Sequence, residues 1–271
     1  MPRSNPIEST LMAAGEIDGL FARTLQGDYD DDAPWDAVHS LRRMGTRDVF
    51  QRAANWVESK EALKRARGLD VVAQLGKTGE HPSNSFPQES YNLVVAALSA
   101  EREFLPLRSA IAALGHLDDA DAIPLLAAFS SDPRAQIRFS VACALGSFPN
   151  DPLSVKTLLT LMEDTDDDAR DWATFGLGVL GHQDSPVIRD ALYRNLNDGS
   201  ADVREEALVG LAKRHDSRSL PAVIAALEQP TVTDRIIEAA YTLLGLEDDQ
   251  KEWSAQDYVG ALRQRLPNNL R

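Results

Sequence analysis

Cysteine is almost missing from this chain: Cys143 stands alone in 271 residues. A single thiol excludes an intrachain disulfide, and with no CxxC or Cys/His cluster there is no zinc-site pattern. Aromatic residues are also scarce, at 6%. An apolar fraction dominated by Ala and Leu suits close helix-on-helix packing better than a sandwich or barrel core. Positive charge is in short supply, with 28 Lys and Arg against 42 Asp and Glu and a net charge of −14. Such a balance repels phosphate backbones and disfavours nucleic acid as a partner. No apolar run reaches the length of a membrane span, and Met1–Thr10 holds no apolar signal core, so the expected location is the cytoplasm. Motifs of chemistry are missing too: no GxSxG, no Gly-rich phosphate loop and no HExxH. No catalytic set, cofactor or metal site is therefore expected.

What is present is a seven-fold echo of a small residue followed by Leu and often Gly. The key leucines are Leu41, Leu75, Leu114, Leu145, Leu177, Leu211 and Leu243, spaced by 34, 39, 31, 32, 34 and 32 residues. A self-similar period in this range marks a stacked repeat array, in which each unit packs on its neighbours and the core grows lengthwise.

Within each period the apolar pattern predicts two antiparallel helices. In the clearest repeat, Asp164–Asp168 forms an acidic turn before a first helix through Arg170 and Leu177. Gly181 is expected to end it in the left-handed conformation, and Asp184-Ser185-Pro186 to cap and start the second helix. Gly76, Gly115, Gly146 and Gly178 each follow a key leucine. Recurrence at one repeat position predicts close helix packing that offsets their cost of about 1 kcal/mol inside a helix. Cys143 lies among Val141, Ala142, Ala144 and Leu145, as a small buried hydrophobe would. The segment His81–Pro87 reads as a loop. Leu11, Ile17, Leu20 and Phe21 predict an amphipathic helix within residues 1–25 that caps one end of the stack. Residues 26–250 form the array, and 251–271 a second capping helix.

The pattern Val/Ile-Arg-x-x-Ala-x-x-x-Leu-Gly stands here as Ile137-Arg138…Leu145-Gly146, Ala169-Arg170…Leu177-Gly178 and Val203-Arg204…Leu211. It resembles the HEAT-like repeat proteins of bacteria, including the class that shares repeats with phycobilisome lyases. The resemblance covers roughly residues 30–245 and implies an all-α, right-handed solenoid of about seven helical hairpins. Repeats one, two, three and seven depart from it, with Pro34, Gly68, Leu107 and Ile236 in the arginine slot. Deoxyhypusine hydroxylases, an enzymatic branch, carry His-Glu pairs; this chain has only the reversed Glu80-His81.

Individual clusters have plain explanations. The acidic runs at Asp28–Asp32 and Asp164–Asp168 lack the Gly and Glu of a calcium loop; Ala33 and His39, or Ala169 and Phe175, hold those places. Carboxylates there suit helix N-termini instead. Arg138, Arg170 and Arg204 are expected to pair with acids of their own or the adjacent turn. From His39 to Arg67, eight cations face three acids, which reads either as a solvated face or as a docking patch for an acidic partner. Trp35 and Trp172 are expected in the core.

In such stacks the second helix of each pair lines the concave side. Its residues off the apolar stripe are then the partner-binding candidates: Arg52, Asn55, Trp56, Lys156, Thr160, Arg189, Tyr193 and Arg194. The expected function is a non-catalytic scaffold or adaptor that binds a partner protein or peptide. The alternative is a subunit of a bilin-lyase-like enzyme on the same repeats, and a nucleic-acid binder ranks third.

Overall fold

A computed structural model describes residues 6–246 and 253–266, with side chains from residue 15 onward. Among the described residues there are fifteen α-helices and no strand. None of these helices is long and apolar enough to cross a membrane. The chain divides into two compact units, the first ending at Ala122 and the second starting at Ile123.

The first unit holds α1 (Pro6–Arg23), α2 (Asp32–Met44), α3 (Arg47–Val57), α4 (Ala62–Ala73), α5 (Pro87–Ala100) and α6 (Phe104–His116). Its core forms where α4 packs against α3 and α6, with α2 also on α4 and α1 on α2. The α1 helix buries Ile17, Leu20 and Phe21, and the Phe21 ring meets Trp56 of α3 edge-on at 4.7 Å. The side chain of Leu11, and residues 247–252 and 267–271 of the expected C-terminal segments, lie outside the described residues.

The second unit holds α7 (Ile123–Ala127), α8 (Ala135–Leu145), α9 (Pro152–Leu161), α10 (Asp167–Phe175), α11 (Pro186–Asn195), α12 (Ala201–Lys213), α13 (Leu220–Leu227), α14 (Asp234–Leu244) and α15 (Ala255–Arg265). Here α8, α10, α12 and α14 pack one upon the next, with α9, α11 and α13 beside them. The expected alternation of first and second helices is thus observed, and all seven key leucines are buried, at most 6% exposed. Small residues allow this spacing. A Cβ on Gly210 would come within 2.8 Å of the Cα of Gly178, so these two backbones touch with nothing between them.

Capping residues start the helices as the sequence suggests. Ser185 accepts from the N–H of Ile188 with Pro186 behind it, and Asp166 accepts from the N–H of Ala169. The structure differs from expectation in three places. Gly181 is extended (φ −75°, ψ 142°) rather than left-handed, because α10 continues into a π-helical turn, Gly176–Leu180, that uses up the register before it. Gly76 lies past the end of α4 with φ +79°, in a turn whose N–H donates to the carbonyl of Arg42, so it serves a turn and not a helix interior. Trp172 is 39% exposed, not in the core; its ring stands edge-on to Phe139 and Phe175 along the outside of the first-helix stack. Trp35 is half-buried.

Candidate partner-binding surface

Two arginine systems organise the molecule. In the second unit the repeat arginines form a ladder. Arg138 on α8 donates from Nε and Nη2 to both carboxylate oxygens of Asp164, each at 2.7 Å. Arg170 on α10 does the same to Asp198, each at 2.8 Å. Each arginine also binds its own turn: Arg138 Nη1 donates to the carbonyl of Asp132, Arg170 Nη1 to that of Asp164, and Arg204 Nη1 to that of Asp198. These acids sit two residues ahead of a helix N-cap, and each accepts from that N-cap's N–H: Asp132 from Arg134, Asp164 from Asp166, and Asp198 from Ser200. Forked guanidinium contact holds Asp164 and Asp198 below the usual carboxylate range. The expected structural role is therefore seen at Arg138 and Arg170.

Arg204 on α12 breaks the ladder. The residue two ahead of the next N-cap, Thr233, is Thr231 rather than an acid. Arg204 keeps its bonds to the carbonyls of Asp198 and Gly199, but among the described residues its Nε and Nη2 meet no acceptor. The same is true of the N–H of Thr233. Arg204 and Thr231 line a cavity of about 460 Å³, walled by Leu196, Leu208, Ala222, Ala226 and Ile236. Glu205 also lines it and accepts from the Thr233 hydroxyl at 2.7 Å.

In the first unit the arginine is buried completely. Arg67 on α4 donates to the carbonyls of Thr24 and Tyr29 and lies 3.5 Å from Asp70, with the Tyr29 ring 4.1 Å from its guanidinium carbon. The Tyr29 hydroxyl donates to Asp70 at 2.8 Å and contacts Ser109 of α6. Burial pushes Asp70 above the ordinary carboxylate range despite these partners. This network ties the segment before α2 to α4 and α6.

It also dissolves most of the basic stretch. Arg47 pairs with Glu89, Arg52 with Asp18, Lys64 with Glu61, and Arg65 with Glu101 and Glu103, while Arg67 is buried. Arg42 donates to the carbonyl of Asp70. Three of these cations, Arg47, Arg52 and Arg65, meet acids that lie distant in the chain.

The eight candidate residues separate into groups. In the first unit Arg52, Asn55 and Trp56 share α3, where Arg52 is held by Asp18 and Trp56 is half-covered by Phe21. In the second unit Lys156 and Thr160 are exposed on α9, and Lys156 has no ion-pair partner among the described residues. On α11, Arg189 turns back to Asp184 at 2.6 Å, Arg194 reaches Glu163 at 2.9 Å, and Tyr193 stays exposed beneath the Arg218 guanidinium at 5.0 Å. Leu153 of α9 and Val187 of α11 are exposed on the same two helices.

Sequence reasoning missed four features. Arg214 is buried and donates to the carbonyls of Leu177, Gly178, Gly210 and Gln183, satisfying the orphan carbonyls at the end of the π-turn. Asp171 of α10 and Glu206 of α12 each keep one buried carboxylate oxygen without a partner. Burial raises them, to about 6 and about 7 respectively, with Arg235 opposing. The open fork of Arg204 is the third and buried Arg67 the fourth. Aligning the residues two ahead of each N-cap would have exposed the Thr231 exception; the others depend on long-range packing. Cys143 is half-buried, and burial lifts its thiol to about 12, so it stays protonated at neutral pH.

Comparison with known proteins agrees with this architecture. The HEAT repeat family matches residues 92–178 and 155–244, more than half of the chain. Protein YibA of Escherichia coli K12 is 37% identical over 109 residues, a match spanning 40% of this chain and 38% of that relative's length. The X-ray structure of YibA superposes over 96% of this chain and 99% of its own, with TM-score 0.68 and 21% identity, a likeness of fold. The complex of CpcE and CpcF of phycocyanin lyase from Nostoc sp. PCC7120 overlaps 86% of this chain and 83% of its own at TM-score 0.45 and 18% identity, and transfers no residue role. With helical hairpins on a common period, shared leucine cores and a family match over most of the array, the chain belongs to the HEAT repeat proteins, all-α helical solenoids.

Proposed function

We propose that this protein is a non-catalytic scaffold that binds a partner protein or peptide on the exposed face of its second helices. The observation that carries this reading is the surface of α9 and α11. Leu153, Val187 and Tyr193 are exposed there beside the Thr160 hydroxyl and Lys156, which has no ion-pair partner among the described residues, while Val155, Leu158, Leu161, Ile188, Ala191 and Leu192 pack inward. An exposed aromatic with apolar neighbours and charges at the rim is the composition of a binding anchor. The family context agrees, since HEAT repeats commonly mediate protein interaction. Arg189 belongs to the support of this face, clamped on Asp184; Tyr193, Lys156 and Arg194 belong to its contact surface.

The test is affinity capture from the native cell with the full chain and with a Lys156→Glu, Tyr193→Ala double variant. A protein enriched by the parent and lost by the variant supports the proposal. Capture of a small molecule without any protein, or of the same protein equally by both, would overturn it.

A further inference from the structure

The molecule contains its own template for a ligand. In two successive repeats a guanidinium fork and an N-cap N–H converge on one carboxylate: Arg138 and Asp166 N–H on Asp164, then Arg170 and Ser200 N–H on Asp198. In the next repeat both donor groups remain, as the Arg204 fork and the Thr233 N–H, but the acid has become Thr231. Arg204 keeps the turn-carbonyl contact that Arg138 and Arg170 also make. Arg204 and Thr231 line a cavity of about 460 Å³ with Leu196, Leu208, Ala222, Ala226 and Ile236 along its apolar side.

We infer that this cavity takes an acidic side chain, Asp or Glu, of a partner polypeptide, with an apolar neighbour of that residue seated on the aliphatic wall. This rests on the scaffold reading and names the chemistry its partner must bring. The Arg204 Nε–H and Nη2–H donate to the incoming carboxylate in the bidentate manner of the two lower rungs, and the Thr233 N–H donates to one of the same oxygens. The volume falls within the range of ligand-binding clefts. Charge complementarity selects the occupant. Arg204 contacts two carbonyls and has no carboxylate in hydrogen-bond reach among the described residues, whereas Arg138 and Arg170 are each forked onto one. Glu205, the acid nearest the opening, is turned onto the Thr233 hydroxyl. It disfavours a doubly charged group such as a phosphate more than a single carboxylate.

The experiment follows the Arg204 Nε–H resonance of the full chain, identified by its loss in Arg204→Gln, during titration with acetyl-Leu-Asp-Leu-amide and with its Asn counterpart. The expected result is a saturable shift with the Asp peptide, about tenfold weaker or more with Asn. Thr231→Asp restores the missing rung from within while leaving every existing bond of Arg204 in place, and is expected to abolish the response. An Arg204 resonance indifferent to the Asp peptide, an equal response to the Asn peptide, or undiminished binding by Thr231→Asp would overturn the inference. Capture from the native cell separates this from the scaffold reading. A protein partner retained by Thr231→Asp but lost by the Lys156, Tyr193 double variant sinks the cavity assignment alone. Absence of any protein partner sinks the scaffold reading, while the peptide titration still reports on Arg204.

Discussion

The two units weight the same residue type differently. In the first, Arg67 is fully buried and its partners are two carbonyls, an aromatic face and one buried acid. In the second, Arg138 and Arg170 are half-buried, near 15% exposed, and each forks onto an acid from the following turn. A buried cation is costly to remove, because its acid partner is left charged or must protonate in the interior. A half-buried rung is screened by water and replaceable. The first unit therefore sets one buried knot beside a single rung, Arg65 forked onto Glu101. The second distributes its polar contacts over repeating rungs, and only a distributed system can leave one rung open without losing the fold.

Perturbations that separate the two arrangements can be ranked. The largest effect belongs to Arg67→Ala, expected to destabilise the first unit by about 3–5 kcal/mol. Urea unfolding of the full chain, followed at Trp35 and Trp56 against Trp172 and Trp253, should show the loss confined to the first pair of reporters. Equal loss at all four would erase the distinction between the units. Next is Arg214→Met, expected to cost the second unit about 3 kcal/mol, since several buried carbonyls at the end of the π-turn lose their donor. A cost near that of an exposed arginine would contradict the capping role.

Intermediate in size is a pH effect with opposite signs on two sets of acids. Asp171 and Glu206 have raised folded values, about 6 and about 7. Their contribution is complete below their unfolded values near pH 4 and is lost as pH rises through 6 to 7. Asp164 and Asp198 are depressed by their arginines, so their contribution is present above that same range and lost as pH falls below it. Stability of the second unit should peak near pH 5 and decline toward pH 7.5, by on the order of 2 kcal/mol. Glu206→Gln should flatten that decline; a decline unchanged in the variant would assign it elsewhere. Smaller again is the single rung: Arg170→Ala should cost about 1–2 kcal/mol and Thr231→Asp should add about 0.5–1 kcal/mol, both read from urea midpoints. Thr231→Asp that destabilises would show that Arg204 is not poised as its neighbours are.

Legibility in the sequence followed the range of the interaction. The leucine period, the capping residues Asp166 and Ser185 and the pairing of Arg138 and Arg170 are set by residues within a repeat or in the next one, so spacing reveals them. Trp172 was misplaced because its helix face points outward where the first helices stack, and only neighbouring helices decide that. The basic stretch left a solvated face and a docking patch both open in sequence because the acids that pair with Arg47, Arg52 and Arg65, namely Asp18, Glu89, Glu101 and Glu103, lie tens of residues away. Arg67 and Arg214 gave no signal at all, since a buried arginine and an exposed one are the same letter. The candidate face was legible as a list of off-stripe positions. Which of its members are engaged by internal ion pairs was not.

Docking of a protein partner is expected on the second-helix face of the second unit. A photo-crosslinking amino acid placed at Tyr193, and separately at Trp172 on the first-helix stack, tests it in the native cell. The account predicts a discrete protein adduct from position 193 and none from 172. Adducts from 172 alone, or from neither position, would contradict it.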